Sequence, residues 1–132
     1  MLLPHRILIV EPGAPLQLGL QQQFARWGFV RVTTVETGTQ ALDQADVLRP
    51  DLVVLTAPKD NSVDASDLAR HLQARWGPVP LLLLVPETWH LHRLPESWPG
   101  VPLSRCVPKP PTLQELQHGV EQSLHLTLPA VA

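Results

Sequence analysis

Leu81-Leu-Leu-Leu-Val85 decides the fold. Five branched apolar residues follow one another with no polar residue between them, so the segment lacks the alternation of a half-solvated strand. A run of this length with turn residues on both sides, Pro80 and Pro86, reads as a strand buried on both faces. Such a strand needs helices above and below it, which implies a parallel sheet inside an α/β protein.

Two further runs have the same character. Arg6-Ile-Leu-Ile-Val10 and Asp51-Leu-Val-Val-Leu-Thr56 are apolar and continuous. Phe29 to Val35 is a fourth candidate, rich in Val and Thr, and Arg105-Cys-Val-Pro108 is a short fifth. Helical spacing fills the gaps between them. Leu16, Leu20, Phe24 and Trp27 form one stripe that stops at Gly28. Ala41, Leu42, Ala45 and Leu48 form a second, ending before Pro50, and Leu68, Leu72 and Trp76 a third, ending at Gly77-Pro78. Residues 86–104 hold a short fourth helix at most, around Thr88 to Leu94. Thr112 with Glu115 is a capping box that opens a last helix along Leu113, Leu116, Val120 and Leu124.

Strand and helix thus alternate through the chain. The expectation is one doubly wound, flavodoxin-like α/β/α domain over residues 1–132. Its sheet has five parallel strands in order 2-1-3-4-5, its core spans about residues 5–125, and residues 127–132 form a loose tail.

Composition narrows the function. The 132 residues carry a net charge of −2 with two lysines, Lys59 and Lys109, so no basic field favours nucleic acid. The longest apolar run is too short to span a bilayer, and no signal-peptide pattern opens the chain. The single cysteine, Cys106, has no partner for a disulfide and no metal-site spacing, in keeping with a reducing, cytoplasmic setting. Neither a dinucleotide-binding glycine fingerprint nor a P-loop is present. No cofactor and no metal site is expected.

Pro50-Asp51-Leu-Val-Val-Leu, Gly38-Thr-Gln-Ala-Leu42 and Lys109-Pro110 before a leucine-rich final helix, in that order along the chain, resemble the receiver domains of two-component response regulators. The resemblance covers roughly residues 5–125. In that family a histidine kinase passes a phosphoryl group to an aspartate, with Mg²⁺ held by an acidic pair and the acceptor. The acidic pair falls here on Glu11 and Pro12, of which only Glu11 has a carboxyl. The acceptor falls on Thr56, whose hydroxyl would need a base before it could attack phosphorus. The hydroxyl residue that bonds the phosphoryl group falls on Val85, and the switch aromatic falls near Cys106. Only Glu11 and Lys109 of that apparatus keep a matching functional group.

The resemblance therefore implies a pseudo-receiver, a non-enzymatic module of phosphorelay signalling that binds protein without being phosphorylated. A phosphorelay receiver with atypical phosphorylation and a doubly wound domain that binds a small ligand at its switch point are the competing readings. Each singled-out residue also has a plain structural reading. Lys109 and Glu11 would form a retained ion pair, Thr56 a strand-end cap, Cys106 a small buried apolar side chain. Trp89 and Trp98 lie beside the fourth helix, the fifth strand and the last helix, the side through which the family exchanges partners. They are candidate anchors for a protein partner or a homodimer, or else plugs for a poorly formed fourth helix. His90 with His92, and His118 with His125, lack a third metal ligand.

Overall fold

The computed structural model describes residues 2–44, 47, 49–56, 71, 74, 75, 77, 79–86 and 106–128, with only the backbone described at 38, 42, 86, 106 and 109. Its elements run β1 (Leu3–Val10), α1 (Ala14–Trp27), β2 (Phe29–Val35), α2 (Gly38–Asp43), β3 (Leu52–Thr56), β4 (Leu81–Pro86), β5 (Cys106–Lys109) and α3 (Leu113–Leu124). The five strands form one sheet in order β2-β1-β3-β4-β5, every adjacent pair parallel. The expected strand order is found, and with it a flavodoxin-like topology. His71, Ala74 and Arg75 are helical, on the stretch where the third helical stripe falls.

Both faces of the sheet are buried. On one, Ile7, Ile9, Leu52, Val54, Leu82, Leu84 and Val107 meet Leu20, Phe24 and Trp27 of α1 and Leu116 and Val120 of α3. The alternate residues Leu8, Val10, Val53, Leu55, Leu81, Leu83 and Val85 are also buried. This double burial explains why these strands carry no polar alternation. Phe24 anchors an aromatic group, edge-on to Trp27 at 5.4 Å between ring centres and tilted against Phe29 at 5.5 Å.

Local chemistry sets the helix ends. Pro15 lies in the first turn of α1, where its missing N–H costs no hydrogen bond. Gly28 ends that helix at φ 104°, in the left-handed region, and returns its N–H to the carbonyls of Phe24 and Ala25. At α3 the capping box is complete: Thr112 Oγ1 accepts the Glu115 N–H at 3.1 Å, and Glu115 Oε1 accepts the Thr112 N–H at 3.1 Å. Gly119 lets α3 lie close to β4, since a Cβ there would stand 2.6 Å from Leu82 Cδ1.

The structure departs from the sequence reading at several boundaries. β1 begins at Leu3 rather than Arg6, with an irregularity in its pairing to β2 between Leu3 and Arg6. Pro4 lies there, a residue that offers no N–H to a ladder. β5 is shifted by one residue, to Cys106–Lys109. The expected tail is packed at its start. Leu128 is buried, and its N–H donates to Glu121 Oε2 at 2.7 Å, so packing continues at least that far. Residues 129–132 lie outside the described residues, as do the expected fourth helix and both Trp89 and Trp98.

Candidate functional site

In an open parallel sheet a cleft forms beyond the carboxyl ends of the strands, where the strand order reverses. Here β1 is followed by β2 on one side and has β3 on the other, so that point lies between β1 and β3. Val10 pairs with Leu55, which sets the next residues, Glu11 and Thr56, side by side. Thr56 in turn pairs with Leu84. Val85 pairs with Pro108 and Pro86 with Lys109, which brings the backbone of the remaining site positions to the same end of the sheet.

Glu11 is the centre of this end and is 1% exposed. A buried carboxyl group needs hydrogen-bond partners to offset its lost hydration. Glu11 Oε1 accepts the Gly13 N–H at 2.9 Å, so the side chain curls back over its own loop. Glu11 Oε2 accepts the hydroxyl of Thr56. The backbone is fixed as well: the Glu11 N–H donates to the Val35 carbonyl at 3.0 Å, and Gln17 Nε2 reaches the Glu11 carbonyl at 3.1 Å. Gly13 gives the curl room: a Cβ at that position would stand 3.1 Å from Glu11 Oε1, and the carboxyl would have to give by a few tenths of an ångström.

The other sequence-derived positions divide clearly. Pro12 is exposed and contributes no side-chain oxygen, while Val85 is buried in the sheet. Cys106 and Lys109 are placed in β5 by their backbone, and their side chains lie outside the described residues. The expected pairing of Lys109 with Glu11 therefore falls outside the description. The sequence, which places Thr56 at the acceptor position and as a strand-end cap, does not show the Thr56–Glu11 hydrogen bond. The available signal was the register of β1 and β3, which places their last residues at one level. Asp51 lies at the opposite end of the sheet. Its N–H donates to the Arg6 carbonyl and its Oδ2 accepts the Arg6 N–H, each at 2.7 Å.

Among the described residues there is no group of three or more His, Cys, Asp or Glu side chains able to hold a metal ion. Nor is any described helix long and apolar enough to cross a membrane.

The topology, the doubly buried sheet and the cleft position at the β1/β3 carboxyl ends match a receiver-like fold. Solved receiver structures superpose on it over nearly its full length. The signal receiver domain of an HD domain-containing protein from Pseudomonas fluorescens is similar at TM-score 0.76 and 20% identity, over 93% of this chain and 96% of that one. A response regulator receiver protein from Sinorhizobium medicae is similar at TM-score 0.75 and 23% identity, over 92% of this chain and 95% of that one. The receiver domain of a sensor histidine kinase from Pseudomonas aeruginosa, solved with magnesium in its active-site cleft, is similar at TM-score 0.71 and 22% identity, over 93% of this chain and 99% of that one. At these identities the likeness is one of fold. No protein-family model and no curated protein matches the sequence.

Proposed function

We propose that this receiver-like signalling fold is a pseudo-receiver, which acts by protein–protein contact and takes no phosphoryl group. The observation that carries the reading is the hydrogen bond from Thr56 to Glu11. At the position where receiver chemistry needs an ionised carboxylate as nucleophile there is a hydroxyl, and that hydroxyl is engaged in holding the neighbouring carboxyl.

The magnesium of such sites does not fit this donor set. Mg²⁺ takes near-octahedral oxygen ligation at about 2.0–2.1 Å and gives up its waters reluctantly. Glu11 offers one carboxyl, already accepting from Gly13 and Thr56, and Pro12 offers no oxygen. Val85 has no hydroxyl through which a phosphoryl group would be sensed. The four positions together turn a reaction site into a packed strand-end junction.

In this reading the partner surface is the side built by the fourth-helix region, β5 and α3, with Trp89 and Trp98 as its aromatic anchors. Leu113, 42% exposed in the first turn of α3, adds apolar surface on the described part of that side. The contact is constitutive, because no phosphoryl group is there to shift a population. Titration with MgCl₂ followed by ¹H–¹⁵N NMR tests the site directly. The expected result is no saturable shift of the Glu11, Gly13 and Thr56 amides at millimolar Mg²⁺. A saturable shift at those amides would overturn the proposal.

A further inference from the structure

The end of the sheet remote from Glu11 carries a second feature, which the receiver-like reading does not use. The irregularity near Pro4 inserts one extra residue into β1 between its Leu3–Phe29 and Arg6–Arg31 pairs. Without that extra residue, Arg6 would stand opposite the neutral Val32. With it, two arginines are direct cross-strand partners at the sheet edge. Like charges on neighbouring strands repel, modestly here because both side chains are exposed to water.

Solvent screens this repulsion, but no protein group among the described residues offsets it. Neither guanidinium has a hydrogen bond or ion pair there; the one nearby carboxyl, Asp51, is turned to the Arg6 backbone N–H. The two arginines instead line a half-open cleft of about 170 Å³ with Leu8, Thr33, Val47 and Pro50. Val47 is 81% exposed, an apolar side chain standing in solvent at the cleft wall. Arg49, just before Pro50, holds a left-handed backbone at φ 40°, a strained conformation for a non-glycine residue that precedes proline.

Uncompensated paired guanidiniums beside exposed apolar surface fit one ligand chemistry. Arginine forks bind phosphate and carboxylate oxygens through paired charge-assisted hydrogen bonds. An apolar body attached to such a head would cover Val47 and Leu8. We infer that the Arg6–Arg31 cleft binds a small organic anion, with a phosphate-type dianionic head between the two guanidiniums and an apolar body against Val47 and Pro50. The ligand removes the repulsion that the β1 irregularity creates, so its binding stabilises the edge of the sheet.

The test is a ¹H–¹⁵N NMR titration of the full chain with phenyl phosphate, and with inorganic phosphate and benzyl alcohol as head and body alone. The expected result is saturable shifts at the amides of residues 6, 8, 31, 33 and 47 with phenyl phosphate at millimolar concentration. Inorganic phosphate should bind there more weakly and benzyl alcohol not at all. Arg31→Gln and Arg6→Gln should each weaken binding at least about tenfold, since each removes a charge-assisted contact. Both variants should also melt higher than the parent chain when no ligand is present, because each removes the repulsion. The inference is overturned if phenyl phosphate shifts no amides in the cleft, or if it binds both variants as well as the parent. It is also overturned if both variants melt lower without ligand, which would make the arginines structural. Equal affinity for inorganic phosphate and phenyl phosphate would overturn the apolar half of the site.

Discussion

Replacing Thr56 with valine keeps the shape of the side chain and deletes only the donor to Glu11 Oε2. Glu11 is 1% exposed, so water cannot readily replace the lost hydroxyl. A hydrogen bond of this kind contributes about 1 kcal/mol, and the loss of one partner of a buried acceptor costs about 1–3 kcal/mol. Glu11 Oε1 keeps its Gly13 N–H, and a methyl in place of the hydroxyl is welcome on a half-buried strand end. The expected net loss is therefore about 1–2 kcal/mol. With a urea m-value of about 1.5 kcal/mol/M, the midpoint should fall by about 0.7–1.3 M. Urea unfolding followed by tryptophan fluorescence measures it. Thr56→Ser, which keeps the donor, should lose less. In the cycle with Glu11→Gln, the Thr56→Val loss should shrink if the bond to the carboxyl is its source. A Thr56→Val chain at least as stable as the parent would refute the reasoning.

Three further outcomes test the scaffold. Gly119→Ala should destabilise by up to about 2 kcal/mol, because overpacking against Leu82 (about 1–3 kcal/mol) exceeds the helix-propensity gain of about 1 kcal/mol; thermal melts of the single and Leu82→Val double variants should show coupling between the two sites. Thr112→Ala should cost about 1 kcal/mol by loss of the α3 cap, read as a drop in melting temperature of roughly 3–5 °C. Leu128→Ala should cost about 2–3 kcal/mol in chemical denaturation, a loss that a loose tail would not show.

The strands were legible because burial on both faces leaves an unmistakable sequence pattern. Leu81 to Val85 and Ile7 to Val10 have no polar residue for the simple reason that no solvent reaches either side of them. The α3 cap was legible because Thr112 and Glu115 meet within one turn and depend on nothing distant. Features that depend on pairing between remote segments were not. The apolar run places the start of β1 at Arg6, and nothing in it announces the irregular pairing that carries the strand back to Leu3. Leu128 was assigned to a tail because nothing local announces the hydrogen bond from its N–H to Glu121. At the site, the residue types on which the pseudo-receiver proposal rests, Pro12, Thr56 and Val85, stand in the sequence itself. The bond between Thr56 and Glu11 does not, since it exists only once β1 and β3 lie in register.

A pseudo-receiver takes no phosphoryl group from a small phosphodonor. Intact-mass spectrometry after incubation with acetyl phosphate and Mg²⁺ tests the proposal most directly, with an active receiver domain treated in parallel as the positive control. The control should gain one phosphoryl mass, and this chain should keep its parent mass. A phosphoryl adduct on this chain, localised by peptide mapping to Thr56 or to any carboxylate at the β1/β3 strand ends, would contradict the proposal.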